Sequence, residues 1–369
     1  MKILYICTFY HQAMIFRDSM DSLEKRGHIV LAFNAVSKGT KIADKYMPIM
    51  DEKVIHKECF RKVDRLFFHY KQRKIKKAID LSICVSDFDL IHSHTLFNGG
   101  WAAYQLHKKY GIPYVISVRS TDLNVFLRIP VFQRIARTIV EHAAGVLFLS
   151  SAYRDAFLEK CYSEKERARV EQKSEVIPNG LESFWIDHIF KGKKELHTPL
   201  ELLCVGAIDR NKNVVTTLKA VDQLNAEGIP THLTAIGQVK DEHIKSILDN
   251  NIFSTVIPFL KKEELIDFYR SADVFVMPSL HETFGRVYAE AMTQGLPVVY
   301  TRGEGFDGTF ADGTIGYGVK AEDVEEIAEA IRRILRDYVA ISSACVEKCR
   351  VFDWDSIAAR LELFYSRAL

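Results

Sequence analysis

The chain has 369 residues with a hydrophobic content of 48%, which is enough for two domains with separate cores and excludes extended disorder. Fifty basic residues against 48 acidic ones leave a net charge of +2, which excludes a general attraction for nucleic acid. No segment approaches 18 consecutive apolar residues, and the apolar start is too short for a signal peptide. We therefore expect a cytoplasmic protein that does not span a membrane.

The N-terminal half alternates predicted strands and helices. A strand at 2–8 precedes a helix at 16–26, and strands at 89–93 and 114–118 flank a helix at 101–110. This alternation predicts an α/β domain with a parallel, Rossmann-like sheet.

Polar residues follow the predicted strands of this half. His11 lies in the first loop, His94 follows the strand at 89–93, and Arg119 and Asp122 follow the strand at 114–118. Parallel sheets bind ligands at the carboxyl ends of their strands, so these residues are candidates for a binding site. The alternative is that the histidines are hydrogen-bonded structural groups.

The segment 60–81 combines aromatic residues with eight Lys or Arg and only two Asp, at spacings that predict an amphipathic helix. One interpretation is contact with an anionic membrane surface. The other is a solvated basic helix whose aromatic residues belong to the core. The first interpretation uses the following residues: Arg61, Lys62, Arg65, Lys71, Arg73, Lys74, Lys76 and Lys77, with Leu66, Phe67, Tyr70 and Ile75.

A second domain is predicted to follow a linker. The segment 190–199 is charged and rich in helix breakers, as linkers are. An apolar strand at 200–206 then repeats the opening pattern and leads through a loop with Gly206, Arg210 and Lys212 into a helix at 214–224.

The stretch 272–303 predicts a strand at 274–277, a loop at 278–285, a helix at 286–293 and a strand at 298–301. Glu282 in the loop and Glu290 in the helix are separated by two turns, about 12 Å at about 1.5 Å per residue. Between them, the amides of Thr283, Phe284 and Gly285 are predicted to lie near a helix start, where phosphate groups bind. A solvated helix with a capping loop is the plainer alternative.

Within this stretch, the arrangement PS-x-x-E-x-F-G-x-x-x-x-E-A-M-x-x-G-x-P-V-V resembles the donor-sugar signature of family-four retaining glycosyltransferases of the GT-B fold. The resemblance implies two Rossmann-like domains that face a cleft. They would comprise residues 1–185, which bind the acceptor, and 198–352, which bind the donor, with a C-terminal helix at 356–369 that crosses back to the first domain.

The resemblance also implies roles for donor-side residues. Glu282 would lie beside the transferred sugar, Glu290 would bind the ribose, and the amides that follow Glu282 would bind the diphosphate. The loop after Gly206 resembles a family loop with an arginine and a lysine. Lys212 matches the lysine, Ala207 replaces the arginine, and Arg210 is the candidate substitute. Leu260 lies where family members bind the nucleobase.

On the acceptor side, Arg119 stands where the family usually has a histidine, so we expect it to position a phosphate rather than to act as a base. His11 replaces part of a glycine pair, so any contact from that loop must come from side chains. His94 and Asp122 match family positions on the same side.

The implied reaction transfers a sugar from a nucleoside diphosphate sugar to a hydroxyl of a bacterial surface glycan or a lipid-linked acceptor. No cofactor and no metal are expected, because the pairs Asp87/Asp89 and Asp353/Asp355 have plainer explanations as a strand entry and a helix cap. A non-catalytic subunit that binds a nucleotide sugar is the alternative, suggested by the changes at His11, Ala207 and Arg119.

Overall fold

A computed structural model describes residues 1–43, 47 and 49–369 of the chain. The chain divides into two units, of which the first comprises Met1–Gly180 together with Trp354–Leu369 and the second comprises Leu181–Asp353. Each unit contains one parallel sheet, which confirms the predicted α/β class with two Rossmann-like domains.

The first unit is built on seven parallel strands in the order β3-β2-β1-β4-β5-β6-β7. Strands β1 and β4 are neighbours although β2 and β3 separate them in sequence, and this reversal creates the crevice in which such sheets bind ligands. The strands are β1 (Lys2–Cys7), β2 (Ile29–Ser37), β3 (Val54–Phe60), β4 (Leu90–Ser93), β5 (Tyr114–Val118), β6 (Gly145–Phe148) and β7 (Ser174–Val176).

Helices connect these strands and bury their apolar side chains against the sheet, with Ile6, Phe33 and Phe148 fully enclosed. The first seven are α1 (Ile15–Lys25), α2 (Phe68–Ser82), α3 (Gly100–Tyr110), α4 (Ser120–Asn124), α5 (Pro130–His142), α6 (Ser151–Cys161) and α7 (Glu164–Glu171).

The periodicity of the segment 60–81 predicts one amphipathic helix, but the segment does not form one continuous helix. Phe60 ends β3, a 3-10 turn covers Lys62–Leu66, and α2 begins only at Phe68. The turn forms because the Asp64 carboxylate accepts a hydrogen bond from the Arg61 amide at 2.6 Å. None of the described helices is long and apolar enough to cross a bilayer.

The second unit contains six parallel strands in the order β10-β9-β8-β11-β12-β13. The strands are β8 (Leu200–Val205), β9 (Thr231–Ile236), β10 (Ser254–Ile257), β11 (Val274–Val276), β12 (Val298–Thr301) and β13 (Gly316–Val319). The helices are α8 (Ser183–Asp187), α9 (Val214–Ala226), α10 (Glu242–Asp249), α11 (Lys262–Ser271), α12 (Arg286–Thr293), α13 (Val324–Arg336) and α14 (Tyr338–Lys348).

The last helix, α15 (Trp354–Ala368), belongs to the first unit. Its Tyr365 hydroxyl lies 2.7 Å from Nδ1 of His92 and 3.2 Å from the hydroxyl of Tyr5, inside the core. Glu362 of the same helix pairs with His28, which lies between α1 and β2, with 3.1 Å between Oε1 and Nε2.

The segment 190–199, which we expected to be a linker, lies inside the second unit. Lys194 is only 8% exposed, and its ammonium donates to the carbonyl oxygens of Tyr269 at 3.1 Å and Ala272 at 2.8 Å. The carbonyls at the end of a helix accept such donors, although burial still lowers the pKa of Lys194 to about 8. The boundary between the units instead falls between Gly180 and Leu181.

Candidate functional site

Three neighbouring strands of the second unit, β8, β11 and β12, end at the same edge of the sheet and lead into three loops. These loops are 206–213, 277–285 and 302–306. Because the carboxyl ends of parallel strands form the ligand-binding edge of an α/β sheet, the loops define the candidate site.

The loop before α12 depends on a glycine. Gly285 has a φ of 73°, a left-handed conformation that other residues adopt at a cost in free energy. A Cβ atom at this position would lie 2.3 Å from the ring of Tyr288 and 3.0 Å from Cγ of Glu282. Glycine therefore allows Glu282 to pack closely against the start of α12.

Both carboxylate oxygens of Glu282 have partners. Lys212 Nζ lies 2.5 Å from Oε2, and the amide of Thr283 donates to Oε1 at 3.1 Å. The Glu282 and Lys212 side chains are 14% and 20% exposed, so solvent screens their attraction less than it would at the surface. The structure thus brings together two predicted donor-side residues from separate loops, and the Thr283 amide already binds a carboxylate.

Side-chain amides join the loop of Lys212 to the loop of Glu282. Asn211 accepts from the His281 amide at 3.1 Å and donates to the His281 carbonyl at 3.0 Å. Asn213, in a left-handed conformation with φ of 56°, donates to the Pro278 carbonyl at 3.0 Å. These bonds hold Lys212 at a fixed position relative to Glu282.

The side chain of Lys212 lies over Gly206, where a Cβ atom would be 3.2 Å from Lys212 Cε. Gly237, at the end of β9, packs so closely that a Cβ atom would be 1.7 Å from the Gly206 carbonyl oxygen. The sequence analysis did not single out Gly237, although a glycine at the end of a strand is a signal for such an approach. Arg210, by contrast, is exposed at the start of the same 3-10 turn.

The loop after β12, which no predicted motif includes, supports Glu282. The carboxylate of Glu304 accepts from the Glu282 amide at 2.8 Å, and the Gly305 amide donates to the Glu282 carbonyl at 2.9 Å. A Cβ atom on Gly305 would lie 2.1 Å from the Thr283 carbonyl oxygen. Gly-Glu-Gly at 303–305, one residue after the predicted parallel strand at 298–301, was the signal that could have identified this support.

Glu290 lies on α12 and is partly buried. The hydroxyl of Tyr269 donates to its Oε2 at 3.3 Å. Burial raises the pKa of Glu290 to about 7, and the charge of Arg286 opposes that rise. Its carboxylate is therefore poised between its two protonation states near neutral pH.

Phe284 and Leu260, two further donor-side residues, differ in which of their groups a ligand can contact. Phe284 is buried, with its ring 5.6 Å from that of Phe352 and 5.9 Å from that of Phe306, so it can offer a ligand only its backbone. Leu260 is partly exposed and lies between β10 and α11.

Arg119 and Asp122 in the first unit are held by backbone groups. Arg119 donates from Nε to the His94 carbonyl at 2.8 Å, and its guanidinium lies 5.2 Å from the centre of the Phe16 ring. Asp122 is 1% exposed and accepts from the amides of Arg119, Leu96 and Phe97 at 3.0 to 3.2 Å. Its carboxylate therefore fixes the loops around Arg119 instead of reaching out to an acceptor, and burial raises its pKa to about 6.

His94, a candidate for the binding site from its place after a strand, is enclosed. Its ring stacks on His92 with 4.0 Å between centres, and neither ring nitrogen has a hydrogen-bond partner among the described residues. Burial, with the nearby His92 and Arg119, holds the pKa of His94 well below its usual value, so the ring is neutral. His94 and Arg119 line a cavity of about 40 Å³.

His11 is 4% exposed, and its Nδ1 lies 3.2 Å from the side-chain nitrogen of Asn34. Burial lowers its pKa, so a role as a charged group is disfavoured. It lines a second cavity of about 270 Å³, which also contains Lys71 and Asn98. Lys71 was counted among the membrane-facing cations, but it is only 7% exposed and faces the interior of the unit.

Among residues 1–43, 47 and 49–369, no group of three or more His, Cys, Asp or Glu side chains could hold a metal ion. All seven cysteines are free thiols.

Two family models match the chain. The model for glycosyl transferases group 1 matches residues 186–351, and the model for glycosyltransferase family 4 matches residues 16–183. The first range lies in the second unit, and the second range lies in the first unit apart from its last residues, 181–183.

Individual proteins show the same likeness. The D-inositol 3-phosphate glycosyltransferase of Corynebacterium urealyticum is 26% identical over 310 residues, which cover 75% of this chain and 71% of that protein. HepE from Anabaena, solved with UDP, is 16% identical with a TM-score of 0.71 over 99% of this chain and 100% of the other. The lipopolysaccharide outer core galactosyltransferase WaaB is 14% identical with a TM-score of 0.76 over 100% of both chains. At these identities the two structures show a common fold alone.

Proposed function

Because the chain belongs to the group 1 glycosyltransferases of the GT-B type, we propose that it transfers a sugar from a nucleoside diphosphate sugar to a hydroxyl with retention of configuration. The observation that carries this proposal is the pair of Lys212 and Glu282, 2.5 Å apart at the start of α12. A carboxylate suited to sugar hydroxyls and a cation suited to a diphosphate thus lie together at the ligand-binding edge of one sheet.

In this proposal the contact between Lys212 and Glu282 breaks when the donor binds, and each residue then contacts a different part of the donor. Lys212 leaves Glu282 for the diphosphate, whose negative charge grows as its bond to the sugar breaks. The exposed Arg210 and the amides of Phe284 and Gly285 add donors to the same group. Glu282, released from Lys212, accepts hydrogen bonds from the sugar.

The ribose and the base complete the donor. Glu290, inside α12, accepts from the ribose hydroxyls, and Leu260 lies beside the base. UDP-glucose is the first donor to test, since HepE has been solved with UDP and with UDP-glucose.

On the acceptor side, Arg119 positions the acceptor or its phosphate, and the product enters a bacterial surface polysaccharide or glycolipid. The similarity to WaaB, a galactosyltransferase of the lipopolysaccharide outer core, supports this assignment. We place the reaction in the cytoplasm, with peripheral contact at the inner face of the membrane through exposed residues of 61–77.

The test combines binding and turnover. A thermal-shift screen against nucleotide sugars identifies the donor, because a ligand that binds only the native state raises its stability by mass action. Transfer or hydrolysis of the labelled donor then separates an enzyme from the non-catalytic subunit that Ala207 and Arg119 suggested. Tight donor binding without turnover, in the presence of a broad set of acceptors, would favour the subunit.

A further inference from the structure

The cavity of about 270 Å³ in the first unit lies at the crevice where the strand order of the sheet reverses. Its wall includes Thr8, which follows β1, Asn98, which follows β4, and Thr121, which follows β5. Three strands therefore direct residues into it from their carboxyl ends, where α/β sheets bind ligands. Its volume is near the lower end of the roughly 300–1,000 Å³ that small-molecule sites occupy.

Lys71 brings a buried positive charge to this cavity. Its Nζ donates to Oδ1 of Asn98 at 2.7 Å and lies 5.0 Å from the centre of the Phe60 ring. Neither partner carries a negative charge, and no salt bridge to Lys71 is found in the part of the chain that the structure describes. Burial, together with the charge of Arg65, lowers its pKa to about 8.

The remaining wall combines a second cation with neutral polar groups. Arg65 also lines the cavity, and none of the lining residues that the structure describes is an aspartate or a glutamate. Thr8 is 8% exposed, and its hydroxyl has no hydrogen-bond partner among the described residues. A buried hydroxyl without a partner is costly, and so is a buried cation without a counter-charge. A ligand that supplies hydroxyls and a negative charge would relieve both costs.

We propose that this cavity is the acceptor subsite, and that it takes a hydroxyl-rich compound with an anionic group, which Lys71 and Arg65 bind. The inference rests on the proposed function and names the acceptor's chemical class. A neutral sugar would leave both cations without a counter-charge, so the site discriminates against it. Phosphate and carboxylate share the required chemistry.

The test measures binding of glucose 6-phosphate, glucuronate and glucose to the full chain by calorimetry at constant ionic strength. We expect at least one anionic sugar to bind about tenfold to a hundredfold more tightly than glucose, as charged hydrogen bonds imply. Lys71→Met should bring that ratio close to one, whereas Lys71→Arg should keep most of it. Failure of both anionic sugars to bind more tightly than glucose would overturn the proposal.

Two controls keep the outcome specific. Lys77→Met removes an exposed cation from the same helix and should leave the ratio at its wild-type value. If Lys71→Met fails to fold, Arg65→Gln provides the test, because Arg65 is exposed and its loss should reduce the ratio several-fold. An unchanged ratio in these variants would count against the subsite. UDP binding to the same proteins reports on the donor function separately, so its absence would contradict the proposed function and not the anionic subsite.

Discussion

Glu282 accepts hydrogen bonds from Lys212 and Thr283, and a glutamine in its place keeps one acceptor oxygen for one of these two contacts. Glu282→Gln should therefore fold normally and bind UDP at least as well as the wild type, because Lys212 is no longer held by a carboxylate. Transfer should fall by about a hundredfold or more, the cost of losing a charged group that acts in the transition state. Rate assays with labelled donor, alongside the exposed-site control Glu263→Gln, check this. Turnover close to wild type would remove Glu282 from the site.

Lys212 and Arg210 are the two cations of one 3-10 turn, and the structure distinguishes them. Lys212 is partly buried beside Glu282, whereas Arg210 is exposed. Lys212→Met should weaken UDP binding by about tenfold to a hundredfold, since a charged hydrogen bond contributes about 1.5–3 kcal/mol. Arg210→Met should have a smaller effect, because solvent screens an exposed charge. Calorimetry on both variants measures the difference, and an unchanged affinity for Arg210→Met would mean that nothing replaces the arginine missing at Ala207.

Glu290 should make nucleotide binding depend on pH. Its pKa is raised to about 7 by burial, and only the ionised carboxylate can accept from both ribose hydroxyls. The affinity for UDP should thus rise as pH increases through 7 and level off above about 8. The titration of the phosphate groups themselves is subtracted by measuring the affinity for inorganic diphosphate, which has no ribose, over the same pH range. In Glu290→Gln the remaining pH dependence of UDP affinity should vanish. The same raised pKa means that the ligand-free fold loses stability as pH rises from about 4.5 to 7, and the glutamine variant should not show that loss.

At the scale of secondary structure, the sequence was most informative where the signals were local. The helix Arg286–Thr293 and the strand Val298–Thr301 have the predicted bounds, because Gly285 before the helix and Gly295 with Pro297 after it mark the ends through backbone conformation. The support from Glu304 and Gly305 was missed, since it depends on how two loops about 20 residues apart in sequence pack against each other in the folded sheet.

Charged residues were the main source of error. Lys71 and Lys194 are 7% and 8% exposed, although their segments were interpreted as a membrane surface and a linker. Each ammonium donates to oxygens from distant parts of the chain, Asn98 in one case and the end of α11 in the other, although those partners carry no negative charge. Composition cannot show such partners. Likewise, Asp122 was recognised as a site residue from its position, but its backbone contacts make it a support.

The turn Lys62–Leu66 and the start of α2 retain a surface that fits a membrane. Leu66, Phe67 and Tyr70 are 80%, 62% and 53% exposed, and four exposed cations that do not line the cavity accompany them: Arg61, Lys62, Arg73 and Lys77. We expect binding to anionic vesicles at low salt that weakens as ionic strength rises, because each cation contributes about 1 kcal/mol near such a surface. Replacing the four cations by glutamine should reduce co-sedimentation by about a hundredfold or more.

The control for the vesicle experiment changes the same number of charges elsewhere in the first unit. Lys25, Lys108, Lys160 and Lys165 are exposed, and their replacement by glutamine should leave co-sedimentation close to wild type. Equal loss in both variants would show that only total charge matters. No binding by the wild-type protein would remove the membrane contact and leave the transferase assignment intact.

For the whole molecule, the two halves of the proposed reaction belong to different units. Glu282, Lys212 and Glu290 lie within Leu181–Asp353, whereas Arg119 and Lys71 lie in the unit that begins at Met1. Donor binding should therefore respond to changes in the second unit alone, and transfer should respond to changes in either. This separation makes the donor and acceptor assignments independently testable.

The charge of the whole chain bears on how a diphosphate is neutralised. With 50 basic and 48 acidic residues, the molecule has no general positive field, so the positive charge must be local. Lys212, Arg210 and the start of α12 provide it in the proposed site, and no cluster of metal-binding side chains lies among the described residues. We therefore expect transfer to continue at close to the full rate in excess EDTA. Assays of labelled-donor transfer with and without chelator check this, and inactivation that magnesium or manganese reverses would assign diphosphate neutralisation to a cation.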